Sequence, residues 1–218
     1  MNRSTSSSDN SKHATRRVLA IAAATCAISY VGHAQAQSII KQPGNHPPYS
    51  VDLEPHFLFS WDDAYWGGGG FGLGMRATIP FLRNGPVSTI NNDMGIGFGL
   101  DWATHSGCGG GLWGPNYDRN GYYYYDCGAY SIYLPVVLQW NFYLTDIITV
   151  YGEPGFAFRY SHWSRTWNVG NAPYTVSDGQ VDPVPVFGGG AKFMFGKTVG
   201  LNVRASYPYF SVGVSILL

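Results

Sequence analysis

From Asp93 to Trp102 the chain alternates without a break, Met94, Ile96, Phe98, Leu100 and Trp102 taking turns with Asp93, Gly95, Gly97, Gly99 and Asp101. A period of two puts successive side chains on opposite faces of an extended chain, so this stretch cannot be an amphipathic helix. One face is bulky and apolar; the other is glycine with an acid at each end. Seven further segments carry the same signature. Val51–Trp61 sets Leu53, Phe57 and Phe59 against Asp52, Glu54, His56 and Ser60, and Phe71–Phe81 sets Leu73, Met75 and Ile79 against Gly72, Gly74, Arg76 and Thr78. Ser131–Leu144 opposes Ile132, Leu134, Val136 and Leu138 to Ser131, Gln139 and Asn141, and Ile148–Ser161 opposes Val150, Phe156, Phe158 and Tyr160 to Thr149, Glu153 and Arg159. Phe187–Phe195 turns Lys192 away from its aromatics, Val199–Tyr207 does the same with Asn202 and Arg204, and a last segment runs from Phe210 to the end of the chain. Segments of about ten residues alternating in polarity and separated by turns are the pattern of a β-barrel that crosses a membrane. The fold class expected is all-β, an eight-stranded antiparallel transmembrane barrel.

Connection lengths follow the same plan. Tight turns around Thr145-Asp146 and Gly196-Lys197 alternate with long stretches from His105 to Ala129 and from Trp163 to Val181, both expected as loops. The turn through Asn84-Gly85-Pro86 is longer than its side of the barrel requires. At the strand ends nearest the long loops the apolar face carries an aromatic girdle of Trp61, Phe71, Trp102, Tyr130, Tyr160, Tyr207 and Phe210, and the opposite ends carry Phe81, Phe142 and Phe195. Aromatics collect where strands pass the lipid headgroups. Composition agrees: 16% of residues are aromatic and 12% charged, about half the charge of an ordinary soluble domain. Against the pattern stand Pro55, Pro80, Pro135, Pro154, Pro183 and Pro185, each in or beside a strand of a closed sheet that has no edge to hold it.

Residues 1–36 read as an export signal: basic Arg3, Lys12, Arg16 and Arg17, an apolar run from Val18 to Val31, and Ala34-Gln35-Ala36 as a cleavage site. Residues 37–48 then form a periplasmic N-terminal segment, and 49–218 the barrel. Beyond residue 36 the acids outnumber the bases by three, and no basic stripe occurs, so nucleic acid is not an expected partner.

The face assigned to the lumen carries Asp52, Glu54, Asp93, Asp101 and Glu153 with Arg76, Arg159, Lys192 and Arg204. An eight-stranded barrel is just wide enough for side chains to fill, so these charges are expected to pair and plug it, the inward glycines leaving room for the long ones. Gly67–Gly70 lacks the Lys-Ser/Thr of a phosphate loop. Cys108 and Cys127 share the long second loop of an exported chain and are expected to form a disulfide. His105 beside them is too few ligands for zinc, so no metal and no cofactor are expected. Trp113, Tyr117 and Tyr122–Tyr125 give the same loop the amphipathic contact area of a surface for an extracellular ligand.

Two resemblances add to this reading. His162 and Ser164, two apart near the outer rim, resemble the His-x-Ser of outer-membrane lipid A deacylases. That resemblance implies a serine nucleophile activated by the histidine, with Asp178 or Asp182 as the orienting acid. Arg165 stands where that family carries asparagine, and the pair falls in the fifth strand instead of near the C-terminus; ordinary rim residues are the preferred reading, without catalysis. The C-terminus, with Ser211, Gly213, Ile216 and Leu218 at its defined positions, resembles the sorting signal read by the barrel assembly machinery, although aliphatic residues replace the usual aromatics. The whole exported chain resembles OmpA-like and OmpX-like eight-stranded barrels. That implies a monomer in the cell outer membrane, surrounded by lipid and lipopolysaccharide, with a structural or surface-interaction role. A lipid A deacylase-like esterase and an exported soluble lipocalin-like barrel are the alternatives. The intact mass of the exported protein tests two of these expectations. It should correspond to a chain beginning at Gln37 and lighter by two hydrogens than the reduced form.

Overall fold

The computed structural model describes residues 38–61, 69–105, 126–169 and 172–218, with the side chains of 126, 127 and 167–169 outside that description. The expected export signal, Cys108 and the aromatic stretch of the second loop lie outside the described residues, as does the side chain of Cys127.

Nine strands form, and among the described residues no helix: β1 (Asp52–Ser60), β2 (Gly70–Leu82), β3 (Asn92–His105), β4 (Asp126–Tyr143), β5 (Ile148–Gly152), β6 (Gly155–Val169), β7 (Ala172–Met194), β8 (Val199–Tyr207) and β9 (Tyr209–Leu217). All pairings are antiparallel, and β1 pairs with both β2 and β9, so the sheet closes on itself. β5 and β6 both lie between β4 and β7 and keep one register on either side, Trp140↔Gly152 continuing as Val137↔Gly155. They are one strand interrupted at Glu153-Pro154, and the ring has eight members.

The faces divide as alternation requires. Phe57 is 65% exposed, Leu73 54%, Leu100 57% and Phe158 51%, while Glu153 and Arg204 between such rows are 0% exposed. A soluble lipocalin-like barrel needs the opposite arrangement, with apolar residues inside and charges in water. This barrel has its apolar surface outward around the ring.

The prolines coincide with gaps or irregularities in the ladders. Val51 exchanges backbone hydrogen bonds with Leu218, so the odd residues of β1 turn their backbone groups to β9. Pro55 is among them, and the β1–β9 ladder skips Glu54 and Pro55 between Leu53↔Ile216 and His56↔Gly213. Leu138 N donates to Pro154 O, so the odd residues of β4 face β3; the β3–β4 ladder skips from Phe98↔Val136 to Asp101↔Tyr133, with Pro135 in the gap. Pro154 still accepts from Leu138 and breaks only its own donor position. Pro80 adjoins the register shift between Pro80 and Leu82. Glu153 N donates to Gly188 O, so the odd residues of β7 face β8, and β8 reaches no further than Phe187↔Tyr207. Pro183 and Pro185 therefore turn their ring nitrogens to the side of β7 beyond the end of β8, where no strand neighbours it among the described residues.

One expectation is overturned. Residues 163–169 and 172–181, expected in a loop, are strand: β6 and β7 continue paired from Trp163↔Asp178 to Val169↔Ala172 and outrun β8 and β9. Thr166, Val169, Thr175 and Val176 suit a pleated strand, and the cross-strand pair Thr166 Oγ1 and Thr175 Oγ1 lies 2.8 Å apart. A membrane-spanning pattern marks only the lipid-facing length, so a strand that runs on past the bilayer looks like a loop. The second outer connection is likewise shorter than expected, since β4 begins at Asp126. The long turn between β2 and β3 has its own use: Gly85 takes φ +58°, and Asn92 Nδ2 donates to the carbonyls of Val87 and Ile90 at 2.7 Å, holding the turn beneath the barrel mouth.

Close strand approach fixes several glycines. A Cβ on Gly72 would land on the carbonyl oxygen of Trp102 in β3. Gly72→Ala is expected to destabilise the barrel by about 1–3 kcal/mol by forcing β2 from β3. Urea unfolding in lipid vesicles reads the change, and an unshifted midpoint contradicts it.

Candidate functional site

Every charged residue assigned to the lumen by alternation is buried in the structure. Their partners divide the interior into layers. At the centre Arg204, on β8, reaches Glu54 of β1 through both terminal nitrogens, Nη1–Oε1 at 2.7 Å and Nη2–Oε2 at 2.6 Å. Its Nε lies 2.8 Å from Glu153 Oε1. Glu153 Oε2 accepts from Arg76 Nη1 at 3.0 Å, and Arg76 Nη2 donates to the Tyr209 hydroxyl at 2.8 Å. Tyr209 in turn donates to Asp101, whose Oδ1 lies 3.0 Å from His56 Nε2. The other ring nitrogen of His56 lies 3.1 Å from the Glu54 carbonyl oxygen. Both ring nitrogens of His56 thus face acceptor oxygens. Six of the eight ring members are tied together across the lumen by bidentate and charge-assisted bonds, the stronger kind.

Below this layer Lys192 pairs with Asp52, which also accepts from Ser215 Oγ at 2.6 Å. Asp93 has no cation beside it among the described residues: Asn141 Nδ2 donates to it at 2.6 Å, Tyr49 OH at 2.9 Å, and Tyr143 OH on the same oxygen as Tyr49. Burial and the neighbouring Asp93 push the Tyr49 phenol above its ordinary range, so it stays a donor. Arg159 pairs with Asp182 at 2.6 Å near the outer rim, apart from the central group.

Alternation could not reveal three parts of this interior. Tyr209, Tyr151 and Tyr133 bear polar atoms that complete or bound the network, yet tyrosine inside a barrel and tyrosine facing lipid look alike in a sequence. An inward apolar cluster of Leu58, Ala103, Tyr133, Val137, Ala157, Val186 and Tyr209 also fills the lumen, with Tyr133 and Tyr209 edge to face at 5.5 Å. Finally, the segment before β1 folds across the inner mouth. Ile39 N bonds to Leu144 O at 3.0 Å, Asn91 N to Ile40 O at 2.7 Å and Asn91 Nδ2 to Asn45 O at 2.6 Å. His46 stacks on Tyr143 with centroids 4.3 Å apart and planes at 6°. Between Ile39, Pro47, Tyr49, Tyr143 and Lys192 remains a space of 20 Å³, about one water.

The catalytic candidates are not assembled. His162 lies on the outward face of β6, half-buried against the Tyr130 ring at 5.2 Å, with Gly179 and Tyr130 as its cross-strand neighbours. Asp182 and Asp178 stand opposite Arg159 and Trp163, inward residues of β6, so both acids are on the other face of the sheet from His162 and Ser164. Among the described residues no group of three metal-ligating side chains forms.

The girdle residues lie on the outward face: Trp61 is 53% exposed, Phe71 52%, Trp102 45% and Tyr160 36%, with Tyr130, Tyr207 and Phe210 half-buried. Of the C-terminal positions, Ser211 and Gly213 face inward, Ile216 pairs with Leu53, and Leu218 bonds through its backbone to Val51, so the chain end itself closes the ring.

No family model and no curated protein sequence matches the chain. Among solved structures, it is similar to Ail, the attachment invasion locus protein of Yersinia pestis, at 12% identity and TM-score 0.43, over 77% of this chain and 97% of that one. It is similar also to Neisserial surface protein A, at 14% identity and TM-score 0.42, over 77% of this chain and 96% of that one. At this identity and overlap neither protein's activity transfers to this chain.

The Asp52–Lys192 pair offers a clean test of the interior. Lys192→Met leaves a buried carboxylate without its cation and is expected to cost about 3–5 kcal/mol, whereas Lys192→Met with Asp52→Asn recovers most of the loss. Unfolding midpoints in vesicles measure both. Equal losses in the single and double variants would refute the pairing as the source.

Proposed function

We propose that this chain is an integral outer-membrane barrel with a closed lumen, acting at the cell surface through its outer end, without catalysis and without solute passage. The observation that carries the reading is the pairing of an apolar exterior with an interior of buried, mutually bonded charges. In hydrocarbon every backbone polar group must be satisfied within the protein, which a ring of hydrogen-bonded strands achieves. The central ion pairs, the apolar cluster near Tyr133 and the segment at 38–50 obstruct the lumen in succession, and this supports a plug over a pore.

A surface role is supported by the β6–β7 hairpin, which carries Tyr174 (54% exposed) and Val181 (67% exposed) past the end of β8. The expected Cys108–Cys127 disulfide would close the neighbouring loop beside β4 and restrict its conformations. The partner class offered is an extracellular ligand at this outer end, with lipid and lipopolysaccharide around the wall and the assembly machinery reading the C-terminus. The esterase alternative loses ground because the two aspartates are on the wrong face for His162.

Fractionation of cells expressing the full chain, then planar-bilayer recording of the purified protein, tests the proposal. The expected result is outer-membrane recovery, faster mobility when unboiled than when boiled, and no stepwise conductance. Recovery in the soluble periplasm sinks the membrane reading, and steady ion currents sink the closed lumen.

A further inference from the structure

The seam where the last strand meets the first combines a gap in the ladder with a concave part of the outer wall. Pro55 has no N–H to offer Val214, and the bridges opposite Ser215 and Val214 are missing. On the outward side at this point a groove of 510 Å³ opens, lined by Pro55, Phe57, Leu73, Leu201, Val212 and Val214. Its floor is the backbone of Gly74, His56 and Gly213. The floor is packed tight from within: a Cβ on Gly213 would stand 2.5 Å from the Cβ of His56 and from the Pro55 oxygen. The groove therefore follows from the outward profile, where the short, rigid Pro55 ring sits between the longer Phe57 and Leu53.

We infer that this groove binds one acyl chain of a phospholipid from the inner leaflet of the outer membrane. The inference rests on the membrane reading above. Three observations select the occupant. The groove is continuous with the exposed apolar belt, of which Phe57, Leu73 and Val214 are members at 65%, 54% and 42% exposure. No charged side chain lines it, and the one titratable residue, His56, turns its ring inward to Asp101, so a chain is accommodated and a headgroup is not. Its lower end at Leu201 lies two residues from the start of β8, on the side of the barrel where the C-terminus and the segment at 38–50 sit, which the reading above assigns to the periplasm. The volume falls in the roughly 300–1,000 Å³ range of small-ligand sites. A groove touches a chain on more sides than a flat wall does, and small dispersion contacts add.

The test places the full-length exported protein in nanodiscs with increasing fractions of chain-spin-labelled phosphatidylethanolamine and follows the methyl resonances. The methyls of Val212, Val214 and Leu201 should broaden at about tenfold lower label fraction than those of Leu100 and Leu134, a preference equivalent to ~1.4 kcal/mol. Val214→Trp, which fills the groove from its rim, should remove the preference while unboiled mobility on a gel stays unchanged. Leu201→Trp serves the same purpose if that variant does not fold. Equal broadening of all five residues overturns the site while leaving the membrane reading intact. Absence of broadening at Leu100 and Leu134 as well overturns the membrane reading itself. A preference seen with spin-labelled lipopolysaccharide and not with phosphatidylethanolamine overturns the assignment to the inner leaflet.

Discussion

The rest of the structure depends on the closure of the sheet between β1 and β9. An open antiparallel sheet of this composition would present two edges of unpaired N–H and C=O groups, each costly to leave in hydrocarbon. Closure removes both edges and forces the eight strands to share one lumen, which in turn decides what the inward side chains must do. The seam is built from the two ends of the barrel sequence, with Leu218 and Val51 exchanging backbone bonds at its lower end and Ser60 opposite Tyr209 at its upper end.

Once the ring is closed, the inward face can no longer be solvated by bulk water, and its charges must find one another. Arg204, Glu54, Glu153 and Arg76 belong to four separate strands, so each ion pair is a tie across the barrel and not along it. Such groups are worth little relative to apolar packing of the same volume and are costly to break singly. Their value here is in fixing register: a strand slipped by one residue would turn its charges into lipid and its aromatics into the lumen. Glycines opposite the long side chains are the counterpart, as at Gly74, where an added Cβ would collide with Asp101 and His56.

The two ends of the barrel follow different rules from its wall. At the inner mouth the chain before β1 has no lipid to face and docks by backbone bonds onto the turn at 83–91 and onto Leu144, with Tyr49 reaching up to Asp93. At the outer end β4, β6 and β7 keep pairing above the point where β8 and β9 stop, because β-branched and hydroxyl residues support a sheet in water as well as in a membrane. The prolines of β7 mark this change, being tolerated where one side of the strand has no ladder to complete.

How much of this was legible in the sequence depends on which physical signal reports it. Strict alternation from Asp93 to Trp102 and its repetition in other segments determined the fold class, the strand count and which residues share a face, and the polar face, half of it glycine with few charges, favoured turning the apolar rows outward. It placed Asp52, Glu54, Arg76, Lys192 and Arg204 inside for the same reason. Alternation carries no information on what happens beyond the length that it marks, which is why the paired strands at 163–169 and 172–181 read as a loop and residues 37–48 as a periplasmic segment before the barrel. It is equally silent on partners: that Arg159 meets Asp182 and not an acid of the central group, that Asp93 is held by tyrosines and an asparagine, and that His162 and the aspartates of β7 lie on opposite faces. Those outcomes depend on the register between strands far apart in the chain, and register is set by the closed ring as a whole.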